Sequence, residues 1–336
     1  MSLLQKLSSL FRPQQPAAAT QETKRPLSSR QRRIEFIGGM MEVRSADFFG
    51  PYALSRSERW ALGWRDADIS AGQGGHRSKG HGTYLLYDTE SDRIAVTGKL
   101  ERPNKGAVAD NGTFILQDWH FGDGLQGTFM AFTSAGHILH KRHFNANLYN
   151  GALSIDGASA ICQTANNPNH DDGNRMTAFD LRQGIELFSV QPRTGWADEY
   201  EFSADGSRIT VVHNDLGKFT YDRSGNFLDE KIYENACLTS KNFSISLFAA
   251  ESLLKKYPTD ADQAHRALST ILTARQVGAD NDPGWKAMAL KLQGIALEAI
   301  GRPRDALAIY DEVLSMNPKI GVKRRADSLR KQLNHS

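Results

Sequence analysis

The sequence predicts a multidomain β + α fold, in which an antiparallel β domain over residues 33–238 precedes an α-helical domain over residues 239–336. Three observations lead to this prediction. The chain has 336 residues, more than one ordinary domain needs. A unit of short strands and turns recurs four times in the first two thirds of the chain. After Leu238, the apolar residues change from alternating to helical spacing.

Two segments precede the β domain. Residues 1–11 (MSLLQKLSSLF) predict an amphipathic N-terminal helix with its apolar residues on one face. They lack the long apolar run and cleavage site of a secretory signal. We expect them to dock on a membrane surface or in a partner groove, or to form a frayed tail. Residues 12–32 are rich in Pro, Gln, Ala and Ser and predict a flexible linker.

The linker and its junction with the β domain are basic. The cations are Lys24, Arg25, Arg30, Arg32 and Arg33. Such a run could aid contact with a membrane or with nucleic acid, or it could simply be solvated.

The recurring unit of the β domain is clearest in GALSIDGASAICQT, which begins at Gly151. Related segments begin at Gly106 (GAVADNGTFILQDW) and Tyr200 (YEFSADGSRITVVH), and a weaker copy begins at Tyr52. Each segment joins two apolar strands through a turn and is followed by a second pair of strands. The unit returns about every 50 residues, so each copy predicts four short antiparallel strands.

The turns ALSIDG and FSADG resemble the SPDG turn of WD40-like β-propeller families, over about residues 50–233. The resemblance implies a propeller-like domain of about four blades that serves as a protein-binding platform. The repeats lack the Gly-His and Trp-Asp dipeptides of true WD40 repeats. Four blades could form a compact ring, an open arc covered by the C-terminal region, or a ring completed by another subunit. We expect an arc that is extended by a strand from residues 32–43 and braced by the helices.

The helical domain contains one clear motif, in the segment WKAMALKLQGIALEAIGRPRDALAIYDEVLSMNP. This segment resembles a tetratricopeptide repeat (TPR). The matching positions are Gly294, Leu297, Gly301, Ala306, Tyr310, Val313 and Pro318. The resemblance implies two closely packed helices with Tyr310 between them, and again a binding platform. A looser copy lies upstream and a capping helix ends the chain, so we expect about five helices.

Candidate site residues lie in the loops between the second and third strands of each repeat. Because the repeats are related by rotation, these loops should share one rim of the domain. The rim residues are Trp64, His76, His81, Trp119, His120, Asp123, His170, Asp171, Asp172, His213 and Asp215. They predict a partner-binding rim for a protein or peptide, with a metal or acid–base site as the alternative. The two tryptophans could instead pack between blades.

Two further groups of residues bear on the site. Lys286, Lys291, Arg302 and Arg304 predict a TPR groove that takes an acidic peptide, with solvated helix faces as the alternative. The histidines of HILHKRH stand three residues apart on a strand, at positions 137, 140 and 143. Neighbours at that spacing point to opposite faces, so the three cannot converge on one metal ion.

Composition limits the function classes. Lys and Arg total 41 against 38 Asp and Glu, and the net charge of +3 predicts no nucleic-acid partner. Cys162 and Cys237 form no CxxC motif and fit a reducing, cytoplasmic location. The sequence contains no phosphate-loop, dinucleotide-binding or nucleophile-elbow motif, so we expect no cofactor. It also contains no apolar run of the length that crosses a bilayer.

Together these features predict a non-enzymatic scaffold or adaptor that binds protein partners within a complex. The alternative is an enzyme whose metal or acid–base site lies on the His/Asp-rich rim. A third hypothesis is a peripheral membrane protein held by residues 1–11.

Overall fold

A computed structural model describes residues 33–75, 77–122 and 124–334 of the protein. The predicted amphipathic helix (residues 1–11) and linker (residues 12–32) lie outside the described residues, as do His76 and Asp123. Within the described part, seventeen strands form four antiparallel sheets, and six α-helices follow them. The prediction of a β region followed by a helical region is therefore confirmed.

The four sheets follow one another along the chain, and each consists of consecutive strands. Sheet 1 contains β1 (Glu35–Ile37), β2 (Met40–Val43), β3 (Phe48–Leu54), β4 (Trp60–Arg65), β5 (Gly82–Asp88) and β6 (Arg93–Leu100). Sheet 2 contains β7 (Pro103–Val108), β8 (Phe114–Trp119), β9 (Gly127–Phe132) and β10 (Ile138–Phe144). Sheet 3 contains β11 (Leu148–Leu153), β12 (Ser159–Thr164), β13 (Met176–Asp180) and β14 (Ile185–Val190). Sheet 4 contains β15 (Glu199–Phe202), β16 (Arg208–His213) and β17 (Gly217–Asp222).

The same hydrogen-bonded turn joins the first two strands of sheets 3 and 4. In sheet 3, Ser154 Oγ donates to Asp156 Oδ1 over 2.7 Å. In sheet 4, Ser203 Oγ donates to Asp205 Oδ1 over 2.6 Å. Gly157 follows with a φ of 72°, a left-handed conformation that glycine adopts without steric cost. The repeated Ser-x-Asp-Gly sequence therefore encodes the turn.

Neighbouring sheets pack face to face in chain order. Sheets 1 and 2 share an apolar core that includes Leu62 and Leu116. Phe129 of sheet 2 stacks on Phe179 of sheet 3 with the ring centroids 4.5 Å apart. Sheets 3 and 4 share a further core. Each sheet is therefore stabilised mainly by burial against its neighbours in the chain.

The helices are α1 (Glu230–Leu238), α2 (Phe243–Lys256), α3 (Ala261–Gln276), α4 (Pro283–Ala299), α5 (Pro303–Met316) and α6 (Lys323–Asn334). Asn242, Asp260 and Asp282 accept backbone N–H bonds at the starts of α2, α3 and α4, which satisfies groups that a helix leaves unpaired. Gly294 of α4 faces the buried Tyr310 of α5, and a Cβ at position 294 would lie 2.6 Å from Tyr310 Cδ1. The close approach predicted for these two helices is therefore present.

The two ends of the stack of sheets differ. At one end, the β1–β2 hairpin folds over the outer face of sheet 1, where Met41 of β2 and Phe48 of β3 lie above Gly63. A Cβ at position 63 would meet the Met41 side chain and would lie 2.6 Å from the Phe48 ring, so this packing needs glycine there. At the other end, Tyr233 of α1 packs edge-on against Phe219, with the ring centroids 5.1 Å apart, on the face that sheet 4 turns toward sheet 3. The outer face of sheet 4 is polar, and Lys218 and Glu201 pair on it at 2.6 Å.

Two details differ from the sequence predictions. Residues 32–43 do not form a single closing strand, because Gly38 and Gly39 reverse the chain and β2 then pairs with β3. Residues 239–334 contain the five expected helices, α2–α6, but a further helix, α1, begins at Glu230, within the range assigned to the β domain. Tyr233 and Ala236 of this helix complete the core beside the three-stranded sheet 4. In the described ranges, every helix is too short or too polar to cross a bilayer.

Candidate functional site

The loops predicted to share a rim connect equivalent strands in all four sheets. They join β4 to β5, β8 to β9, β12 to β13 and β16 to β17. We call this edge of the stack the loop rim, and the edge that carries the β3–β4, β5–β6, β7–β8, β11–β12 and β15–β16 turns the turn side. Side chains from neighbouring sheets contact each other along the loop rim, as the following clusters show.

A buried arginine joins sheets 1 and 2 at the loop rim. Arg77 Nη1 donates to Asp66 Oδ1 over 2.7 Å, and Arg102 pairs with the same carboxylate at 3.3 Å. The Arg77 guanidinium lies 5.1 Å from the centre of the Phe121 ring. Arginine is suited to this position because its planar group can bond a carboxylate and stack on a ring at once. The cluster fixes the long β4–β5 loop against sheet 2.

His120 lies at the centre of a hydrogen-bonded chain beside that cluster. Its Nδ1 is 3.2 Å from Glu101 Oε2, and its Nε2 is 2.8 Å from Thr128 Oγ1. Thr128 Oγ1 is in turn 3.4 Å from His143 Nδ1. Since a carboxylate only accepts, His120 donates from Nδ1, and its Nε2 accepts from Thr128 when the ring is neutral. Burial lowers the pKa of His143, and the charge of His120 lowers it further.

This chain of groups can pass a proton, but it presents no free nucleophile. Both ring nitrogens of His120 are engaged, and Thr128 is only 3% exposed. Asp118 lies close by and accepts the backbone N–H of Arg102 over 2.7 Å. Burial raises the pKa of Asp118 above its ordinary value. The arrangement is therefore better suited to joining sheets than to attacking a substrate.

The remaining rim residues divide into fixed and exposed side chains. Asp172 accepts the Asn145 backbone N–H over 2.8 Å and pairs with Arg142 at 3.4 Å, so it joins sheets 2 and 3. His170, Asp171 and Asp215 are exposed. The structure therefore uses Asp172 as a link and leaves these three to solvent.

His81 and His213 occupy different surroundings. His81 Nδ1 lies 3.9 Å from Asp68 Oδ2 in the β4–β5 loop. His213 is buried, its Nε2 has no partner among the described residues, and burial lowers its pKa. Across the described ranges, no three His, Cys, Asp or Glu side chains are grouped so as to hold a metal ion.

The histidines of the HILHKRH segment do not converge, as predicted. His140 Nδ1 is 2.9 Å from the Gly184 carbonyl oxygen of sheet 3. His143 instead contacts Thr128 and His120.

The tryptophans of the rim have unequal roles. Trp64 is buried between sheets 1 and 2, which agrees with the alternative prediction that this side chain packs between repeats. Trp119 donates from Nε1 to the Leu148 carbonyl oxygen over 3.1 Å. Trp196, which the sequence analysis missed, is 46% exposed and stacks on Tyr149 at 5.4 Å. It lies in the β14–β15 connection, which reaches the loop rim but is not one of the four loops from which the rim residues were predicted.

A second candidate site is a groove of about 600 Å³ between α2, α4 and α6. Of the four cations predicted for a TPR groove, Lys291 lines it, whereas Lys286, Arg302 and Arg304 lie outside its lining. Arg302 instead pairs with Asp305 at 2.6 Å.

Two other cations line this helical groove and were not predicted. Lys255 pairs with Glu251 at 2.9 Å, and Arg325 pairs with Glu298 at 2.7 Å. Lys291 has no hydrogen-bond or ion-pair partner in the part of the chain that the structure describes. The groove therefore carries one positive charge that the protein itself leaves unpaired.

No protein-family model matches the chain, and no curated protein matches it.

Proposed function

We propose that the chain is a non-enzymatic scaffold that binds a protein partner through an acidic peptide in the helical groove. In this proposal, the four stacked sheets are the blades of a propeller-like domain, and α2–α5 are two TPR-like helix pairs. The packing of the sheets in chain order and the contact of Gly294 with Tyr310 support this assignment. Both cysteines are free and buried, in keeping with a cytoplasmic location.

The unpaired charge of Lys291 is the observation that carries the proposal. Lys291 lines the groove together with Leu292 and Ile295, which supply apolar surface to it. A peptide carboxylate would gain a charge-assisted hydrogen bond there, while its apolar side chains would cover that surface. An acidic peptide is therefore the ligand class that the groove fits best.

Capture from native lysate with matched full-length baits tests this proposal. The baits are the wild type, Lys291→Glu, which reverses the charge inside the groove, and Arg304→Glu, which makes the same change on an exposed residue outside it. We expect one partner near stoichiometry with the wild type and Arg304→Glu, and its loss with Lys291→Glu. A partner that Lys291→Glu retains would refute the groove, and the absence of any specific partner would refute the scaffold.

An acid–base enzyme on the loop rim is the second candidate function. The hydrogen-bonded chain from Glu101 through His120 to Thr128 favours it. A substrate would have to displace Thr128 from His120 before that imidazole could act as a base. Joint alanine replacement of His120, His170 and His213 distinguishes the two functions, because a scaffold keeps its partner whereas an enzyme loses turnover.

A further inference from the structure

The turn side carries a cleft of about 830 Å³ between sheets 2, 3 and 4. We call it the turn-side cleft. Its floor is apolar and includes Leu153, Ile155 and Phe202, of which Ile155 is 52% exposed. Such an exposed apolar floor in a concave surface is typical of a binding site.

The edge of the turn-side cleft is acidic. Asp110, Asp156 and Glu201 line it, and no Lys or Arg is among the described residues of its lining. The Ser57 backbone N–H donates to Asp110 over 2.7 Å and lowers the pKa of that carboxyl. Asp110 therefore stays ionised at neutral pH, at the edge of the cleft nearest sheet 1.

Two of these carboxylates have cationic partners outside the cleft. Asp156 pairs with Arg182 at 2.7 Å, and Glu201 pairs with Lys218 at 2.6 Å. All four of these side chains are about half exposed or more. Exposed ion pairs contribute little net free energy, so another cation can replace Arg182 or Lys218 at small cost.

The described chain begins on the same side of the molecule. Ile34 packs in one core with Tyr87, near the end of β5. Burial raises the pKa of Tyr87, and the positive charge of the nearby Arg33 opposes that shift. The Tyr87 hydroxyl donates to Asp92 in the β5–β6 turn over 2.6 Å. Arg33, the first described residue, therefore lies at the turn side.

The segment that ends at Arg33 carries the positive charges that the cleft lining lacks. Residues 24–33 (KRPLSSRQRR) contain five cations, no carboxylate and one large apolar residue, Leu27. The β5–β6 and β3–β4 turns are two strand spacings apart, about 10 Å, and the β3–β4 turn contacts Asp110 directly. From there, the floor in sheet 3 is one sheet-to-sheet spacing of about 10 Å away, and sheet 4 is a second such spacing away. Residues 24–32 reach about 30 Å when extended, so the segment is long enough.

We propose that residues 24–33 dock into the turn-side cleft of their own chain. Leu27 covers the floor at Leu153 and Ile155, and the cations pair with the cleft carboxylates in place of Arg182 and Lys218. Residues 1–11 are then presented at the turn side, away from the loop rim. A contact made by residues 1–11 and a contact made at the loop rim would then lie on opposite sides of the sheets.

Paramagnetic relaxation in the full-length protein tests the proposal. A nitroxide attached at Ser28→Cys is confined to that position, since Cys162 and Cys237 are buried. We expect the Leu153 and Ile155 methyl signals to lose most of their intensity. The Ile69 methyl, equally exposed but on the loop rim, should keep its intensity. Unbroadened signals at Leu153 and Ile155, or equal broadening at Ile69, would overturn the proposal.

Two controls identify the cause of the broadening. Reversing the charge of the segment (Lys24→Glu, Arg25→Glu, Arg30→Glu and Arg32→Glu) should restore the Leu153 signal, and persistent broadening would overturn the electrostatic basis of docking. A mixture of isotope-labelled chains without nitroxide and unlabelled chains with nitroxide should show no broadening. Full broadening in the mixture would mean that the segment docks on a second copy, which would overturn docking within one chain.

Discussion

Replacing Gly294 by alanine tests the closest contact between two helices of the protein. In an exposed helix, this change would stabilise by about 1 kcal/mol, because alanine has the higher helix propensity. At position 294, however, the new Cβ would lie 2.6 Å from Tyr310 Cδ1, whereas carbon atoms normally pack at about 3.5–4.0 Å. Tyr310 is fully buried and cannot swing into solvent. Helices α4 and α5 must therefore move apart.

Overpacking of this kind costs about 1–3 kcal/mol, so we expect a net loss of up to about 2 kcal/mol after the gain in propensity. Urea unfolding followed by far-UV circular dichroism, in which helices give the strongest signal, measures the loss in the helical region. The cost of Gly294→Ala should shrink when it is measured in a Tyr310→Leu background. A higher unfolding midpoint for Gly294→Ala would refute the close packing of α4 on α5.

Three further predictions follow from single contacts. Gly63→Ala should loosen the β1–β2 hairpin, because its Cβ would meet the Met41 side chain of that hairpin, and limited proteolysis at Arg44 should become faster. The hydrogen bond from Ser70 lowers the pKa of Asp68 to about 2. The Asp68 carboxylate therefore contributes to stability above pH 3.8, and this contribution is lost as the pH falls to about 2. Asp68→Asn should remove that acid-dependent step from the unfolding midpoint. Burial lowers the pKa of His213 below 6.5, so the unfolded state binds the proton more readily and stability falls as the pH drops below 6.5. His213→Leu should flatten this dependence and raise stability by about 1 kcal/mol, because it also removes an unpartnered nitrogen.

Local chemistry made much of the fold predictable. The Ser-x-Asp-Gly turns bond within themselves, so their recurrence identifies the repeated strand pairs without any tertiary information. The spacing of Gly294 and Tyr310 along the chain predicts that the glycine, which has no side chain, lies against the tyrosine ring. The structure places them in contact.

The role of α1 was not predictable in the same way. Tyr233 and Ala236 have ordinary helical spacing, and nothing in that spacing tells which surface they cover. They pack on sheet 4, which has three strands, whereas each of the other sheets has at least four. The boundary between the two regions therefore depends on a tertiary contact that the local pattern does not contain.

The candidate site shows the same limit. Repetition predicted that four loops share one edge, but it could not predict that His120 would bond Glu101 from the connection between sheets 1 and 2. Trp196 was not predicted for a related reason, because it lies between two repeats, whereas the repetition identifies only loops within them. In the helical groove, Lys255 and Arg325 come from α2 and α6, which sequence spacing alone does not bring together.

The two ends of the stack connect the fold to the proposed function. Met41 and Phe48 cover the apolar outer face of sheet 1. At the other end, Tyr233 and Ala236 of α1 extend the core between sheets 3 and 4. Because α1 belongs to the core of sheet 4 and also packs with α2, the orientation of the helical groove is coupled to the last sheet. A partner held in that groove would therefore have a fixed direction relative to the loop rim, which a flexible linker between the two regions could not provide.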